Sequence, residues 1–188
     1  FPSILGLGMM RLPKAKEGSE EIDRKKAQEI VDYAYAHGIN YFDTAYRYHA
    51  GDSEIFVGEA LKKFPRESFY LASKMPIWEA KEPADVERIF QEQLNRCQVE
   101  YFDFYLCHSQ SKDNFEKLQQ FHAYEFLKKM KEEGKIRYLG FSFHDTPDVL
   151  RHIVETYEWD FAQIQLNYLD WEMQDAKGQY EILTERGI

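Results

Sequence analysis

Asp23 to Thr44 reads DRKKAQEIVDYAYAHGINYFDT, and its two halves follow different periods. In the first half Ala27, Ile30, Val31 and Ala34 recur at helical spacing, which predicts a helix from Asp23 to His37 with one apolar face. Gly38 follows as a stop, because glycine accepts the left-handed conformation at a helix end without a Cβ clash. Ile39 to Thr44 then predicts a short strand whose tip turns polar at Asp43. Helix, glycine and strand in that order form one piece of a repeating βα architecture.

The junction recurs as Glu133-Gly134-Lys135-Ile136 and as Arg186-Gly187-Ile188. Around these points the chain alternates. Strands are predicted at Ile4–Met10, Ile39–Thr44, Phe69–Lys74, Tyr101–His108, Ile136–Phe143 and Phe161–Leu166. Helices are predicted from Asp23, from Ser53 as N-cap to about Lys63, and from Pro83 to Arg96. Asn114 to Glu133 carries one helix or two joined near Phe121; further helices run from Asp145 or Thr146 to Thr156 and from Gln174 to Arg186. By the rule of the other junctions, Ile188 opens a seventh strand. The expected fold is therefore an α/β (β/α)8 TIM barrel, a single domain over residues 1–188, represented through about its sixth unit. A doubly wound sheet would want a glycine-rich phosphate turn after its first strand, and Gly6-Leu7-Gly8 lacks the third glycine.

Composition narrows the partners. A formal charge of −9 without a basic patch argues against nucleic acid or an anionic membrane surface. Lys128, Lys129 and Lys131 are followed at once by Glu132 and Glu133, which makes them a solvated helix face. No apolar run approaches the roughly 18 residues of a membrane span. Two cysteines, Cys97 and Cys107, have no metal-like spacing and predict neither a disulfide framework nor a thiolate metal site. With no signal sequence at Phe1, the expected compartment is the cytoplasm. Oligomeric state is not legible here.

Strand ends carry the chemistry. In order they hold Asp43, Lys74, His108, Ser142 and then Gln163, with Tyr48 on the loop after Asp43. A tyrosine, with an ordinary pKa of about 10, is a poor acid at neutral pH. An adjacent ammonium stabilises its phenolate, and a carboxylate fixes that ammonium in place. Asp43, Lys74 and Tyr48 thus make a proton donor, and a neutral His108 beside them would orient a carbonyl oxygen. The set suits reduction of a carbonyl. Tyr46, two residues earlier, is the competitor for the acid. A metal-dependent hydrolase using Asp43, His49, His108 and His144 is a different reading of the same strand ends. Trp78, His49 and Trp171 follow strands and are candidates to line a substrate pocket.

These residues resemble the aldo-keto reductases. The likeness runs through Gly6-Leu7-Gly8-Met9-Met10-Arg11-Leu12-Pro13, Asp43-Thr44-Ala45 with Tyr48, Ser73-Lys74, Leu106-Cys107-His108 and Gly140-Phe141-Ser142. The resemblance implies a barrel that binds NADPH, with NADH the alternative, and reduces a small-molecule carbonyl substrate. It implies Tyr48 as general acid, Lys74 and Asp43 as its tuning pair, and His108 as the orienting group. It also implies Ser142 and Gln163 on the nicotinamide carboxamide, Asp43 near the ribose, and the Gly8-Met9 backbone close by; no metal is implied. The family's aromatic stacking residue and its phosphate-gripping residues would lie past Ile188. Where the family commonly has asparagine after the serine, this chain has Phe143-His144, and His144 is either a replacement donor or a helix cap. That variant resembles a bacterial branch whose members often carry a ferredoxin-like iron–sulfur region after the barrel. These 188 residues contain no such region. Within the same family, a nicotinamide-binding sensor or assembly module without efficient turnover is the alternative function.

Overall fold

In the computed structural model, which describes residues 1–188, six strands lie side by side in chain order and every neighbouring pair is parallel. They are β1 (Leu7–Gly8), β2 (Tyr41–Asp43), β3 (Tyr70–Met75), β4 (Phe102–Gln110), β5 (Ile136–Phe143) and β6 (Phe161–Gln163). The helices are α1 (Arg24–Ala36), α2 (Asp52–Leu61), α3 (Ala84–Cys97), α4 (Lys112–Gln120), α5 (Ala123–Glu132), α6 (Pro147–Thr156), α7 (Asp170–Met173) and α8 (Ala176–Arg186). A strand order that never reverses excludes the doubly wound alternative, which needs a switch point. The sheet curls into an open half-barrel, a partial (β/α)8 barrel. No helix is long and apolar enough to cross a membrane.

The predicted helix stops hold. Gly38, Gly134 and Gly187 have φ of 87°, 76° and 72°, the left-handed region in which a Cβ would be strained. The long pattern after Asn114 divides into α4 and α5, with His122 at φ 52° between them.

Several expected details differ. Only Leu7 and Gly8 of the first predicted strand pair with a neighbour, and Ile4 and Leu5 are exposed. β6 ends at Gln163 rather than Leu166, because it has a ladder partner on one side only, β5. Helix α1 buries Ala27, Val31 and Ala34, a narrow stripe that leaves Ile30 outside. Ser53 is not an N-cap: Gly51 holds that place, and Ser53 is buried, bonding Thr44 Oγ1 at 2.9 Å and the Met9 carbonyl at 3.2 Å. The short helix α7 is unexpected; the Asn167 side chain accepts from the N–H groups of Leu169 and Asp170 and starts it.

Strand side chains alternate between two faces. One face packs under the helices, with Phe42, Leu71, Met75, Tyr105 and Phe141 all fully buried. On the other face rings fill the base of the half-barrel: Phe104 meets Tyr41 at 5.2 Å, Tyr138 at 5.0 Å and Phe161 at 5.2 Å between centroids. Gly140 lets β6 approach, since a Cβ there would lie 2.4 Å from the Phe161 carbonyl oxygen. Two residues further along β2, and four along β4, this same face carries Asp43 and His108.

A second polar anchor lies at the opposite end of β4. Asp103 is fully buried and accepts from Arg66 at 2.6 Å, from Arg137 at 2.8 Å and from the Leu71 N–H at 2.9 Å. It ties β4 to β3, β5 and the turn before β3.

Candidate active site

Asp43 is the last residue of β2, and β3 runs parallel beside it with Asp43 opposite Ala72. Two residues on, at the same face, Lys74 points back across that pair. Its Nζ donates to Asp43 Oδ1 at 2.5 Å, to the Thr44 carbonyl at 2.8 Å and to Tyr48 Oη at 3.3 Å. An ammonium has three protons and accepts nothing. All three are therefore committed, and the side chain is only 2% exposed. Because Lys74 donates to Tyr48, the phenol oxygen receives there and its own proton is free to point elsewhere.

The neighbouring strand completes the group. β4 pairs with β3 through Lys74–Leu106, which puts His108 two residues further out on the same face. The His108 ring stands edge-on to Tyr48, with centroids 6.1 Å apart, and Trp78 covers it at 5.0 Å. Burial disfavours the imidazolium, and Lys74 and His144 add like-charge repulsion. Together they lower the His108 pKa from 6.5 to about 3. The ring is neutral at pH 7, as an orienting group requires. Within this group of side chains two buried polar atoms face no partner: Asp43 Oδ2 and His108 Nδ1.

Acid should therefore act on the fold through His108. Between about pH 6.5 and about 3 the unfolded chain binds a proton at this ring and the folded chain resists it. Stability then falls as pH drops, by up to about 1.4 kcal/mol per pH unit from this group. Urea unfolding of wild type and His108→Gln across that window should show the wild type losing more; parallel curves would contradict the depressed pKa.

Residues 4–188 match the Aldo/keto reductase family. The chain belongs to this family. It is 30% identical over 190 residues to the NADH-specific methylglyoxal reductase of Escherichia coli, covering 92% of this chain and 58% of that protein. The holo form of an aldo-keto reductase from Bacillus halodurans superposes with a TM-score of 0.77 at 29% identity, over 98% of this chain and 59% of the other. An aldo-keto reductase from Klebsiella pneumoniae in complex with NADPH gives a TM-score of 0.61 at 29% identity, over 78% and 48%. The chain thus spans about half to three fifths of the length of these relatives.

Within this reductase-family half-barrel the other expected residues fall as follows. Gly8 and Gln163 line one hollow with Asp43, Tyr41, Phe104 and Phe161. Ser142 sits opposite Gln163 in the β5–β6 ladder, buried in the wall. Its Oγ accepts from the Ser109 N–H at 2.7 Å, so its hydroxyl proton remains to be donated. Met9 puts its side chain in the core and turns its carbonyl to Ser53. Tyr46 is drawn away: its hydroxyl donates to Glu92 at 3.0 Å and Arg96 covers its ring at 4.3 Å. His144 is exposed and does not cap α6, whose N-cap is Thr146. Trp171 lies against Tyr180 on α8.

His49 lies away from the hollow of Asp43, Gly8 and Gln163 and borders a separate one with Glu20, Arg24 and Asp52. It is buried, and both ring nitrogens engage backbone groups. That also removes it from the metal reading, and no group of three or more His, Cys, Asp or Glu side chains is placed to hold a metal ion.

Behind Lys74 lies a polar network that strand-end logic does not show. Glu54, fully buried on α2, accepts from Ser73 Oγ and from Gln93 Nε2, both at 2.6 Å. Burial raises its pKa, opposed by those bonds and by Arg96. Gln93 also donates to the Lys74 carbonyl at 3.0 Å and accepts from the Tyr105 hydroxyl at 2.5 Å. The Gly51-Asp52-Ser53-Glu54 start of α2 is the one sequence signal, since a glutamate amid Phe56, Val57, Ala60 and Leu61 needs partners.

Proposed function

We propose that this chain forms the catalytic part of an NAD(P)H-dependent carbonyl reductase, with Tyr48 as general acid. The supporting observation is the Lys74 ammonium, held by Asp43 and Thr44 and donating to Tyr48 Oη. As a carbonyl carbon is reduced, charge develops on its oxygen. Tyr48 releases its proton to that oxygen, and the fixed ammonium stabilises the phenolate left behind. His108, neutral and covered by Trp78, orients the same oxygen.

The unpartnered Asp43 Oδ2 suits a hydroxyl donor such as the nicotinamide ribose. The Gly8 backbone, Ser142 and Gln163 would hold the nicotinamide end, with Ser142 as a donor to the carboxamide oxygen. When bound, the cofactor supplies the hydride. NADPH is the expected form, although the Escherichia coli relative is NADH-specific, and the test uses both. The Phe143-His144 variant is read as the mark of the bacterial branch.

The test is oxidation of NADPH and of NADH by the full-length protein over a panel of small aldehydes, ketones and dicarbonyls such as methylglyoxal. Turnover on at least one carbonyl is expected. Tight cofactor binding with no turnover on the panel would instead favour the sensor reading.

A further inference from the structure

Tyr48 is followed by three residues in succession at positive φ: His49 at 52°, Ala50 at 54° and Gly51 at 98°. Residues with a Cβ resist that conformation. Something must hold His49 and Ala50 there, and the only titratable side chain among the three is the buried one.

His49 is 4% exposed. Its Nε2 lies 3.2 Å from the Leu12 N–H, which can only donate. Its Nδ1 lies 3.1 Å from the Glu20 carbonyl, which can only accept. The partners therefore assign one state: a neutral ring with its proton on Nδ1. Both contacts are to a different stretch of chain, the β1-to-α1 connection. That connection is closed on itself by the Lys14–Ile22 bridge and the Asp23 N–H to Pro13 carbonyl bond of 2.8 Å. On the other side, the carbonyls of Tyr48 and His49 receive the Asp52 N–H at the start of α2. The loop bearing Tyr48 is thus pinned between α2 and a separate hairpin, and the pin is an imidazole.

We propose that His49 is a positioning residue for Tyr48, a latch that holds the acid's loop while its ring is neutral and releases it on protonation. This rests on the reading of Tyr48 as the acid. A second proton on Nε2 would set donor against donor at Leu12 N–H. Four charged side chains face the same hollow: Glu20 and Glu21 from the hairpin, Arg24 from α1 and Asp52 from α2. Glu20 is paired with Lys14 at 2.6 Å and Arg24 with Asp52 at 2.8 Å, while Glu21 has no ion-pair partner. Arg11 adjoins Leu12 and is exposed.

The experiment uses the full-length protein with ring-labelled histidine and tyrosine. When neutral, the His49 ring should appear by NMR as the Nδ1–H tautomer. On acidification the Tyr48 ring resonances should move with the same midpoint as His49, and kcat should fall along it while KM stays within about twofold. His49→Ala should lower kcat by about tenfold, the loss expected for two bonds to one loop. His49→Asn tolerates the left-handed conformation, and its amide N–H stands where Nδ1–H does and can donate to the Glu20 carbonyl while leaving Leu12 N–H without its acceptor, so it should recover part of that loss and abolish the shared acid fall. The proposal is overturned if Tyr48 resonances stay fixed while His49 titrates, if His49 stays neutral until the chain unfolds, or if the acid fall persists in His49→Asn. The NMR readout needs no turnover, so a chain that reduces no carbonyl still tests the latch. A failed latch leaves cofactor oxidation by the wild type untouched.

Discussion

Tyr48→Phe is expected to lower kcat for carbonyl reduction by about 10²–10⁴-fold, the range supplied by a positioned general acid. The change removes one oxygen and keeps the ring, so its edge-on packing against His108 survives. Lys74 loses one of three acceptors and retains Asp43 Oδ1 and the Thr44 carbonyl, which is enough to hold the ammonium where it stands. The loss should therefore fall on kcat, with KM and thermal stability close to wild type. Tyr46→Phe gives the contrast, because that hydroxyl serves Glu92 on α3 and not the site. Steady-state kinetics of both variants decide the matter. A Tyr48→Phe enzyme within about threefold of wild type would remove tyrosine from the role of acid.

The largest effect on stability is expected far from the chemistry. Asp103→Ala should destabilise the fold by about 3 kcal/mol, the lower part of the range for breaking a buried ion pair from one side. The carboxylate is fully buried between Arg66 and Arg137 and also takes the Leu71 N–H. Without it, the Leu71 N–H on β3 is left in the interior with no acceptor. The two guanidiniums fare better, since Arg66 is 24% and Arg137 48% exposed at the side chain and both can regain water. That partial recovery is why the upper part of the range is not expected. Asp103→Asn keeps an acceptor for Leu71 and should lose less. Urea denaturation followed by circular dichroism would measure both; an Asp103→Ala midpoint equal to wild type would show that the triad contributes nothing.

Much of the scaffold was legible because its signals are local. Helical spacing of apolar residues, glycines at helix ends and polar residues at strand tips each reflect a constraint felt within a few residues of chain. Six strands and their order could be read this way, and so could the gathering of Asp43, Lys74 and His108, since parallel neighbours bring successive strand ends to one rim. Errors collected where local signals are weak. The first and sixth strands are shorter than their apolar runs, since strand length depends on a partner's hydrogen bonds and not on the strand's own residues. Ser53 reads as a cap by residue type, yet its hydroxyl is spent on Thr44 and Met9, distant in sequence or turned inward by the loop.

By itself the sequence determined the alternating architecture, the six parallel strands and the three strand-end groups with the tyrosine beside them. Period and punctuation are properties of short segments, and they survive without any knowledge of what packs where. Only the tertiary structure set Tyr48 beside Lys74 and turned Tyr46 away, because their hydroxyls take different directions, toward Lys74 and toward Glu92. It also decided that Glu54 and Gln93 brace the lysine's backbone and that His49 pins the loop of Tyr48 to a hairpin some 30 residues earlier. Those bonds join residues far apart in the chain, and their partners are backbone groups that every residue possesses, so no pattern of residue types announces them.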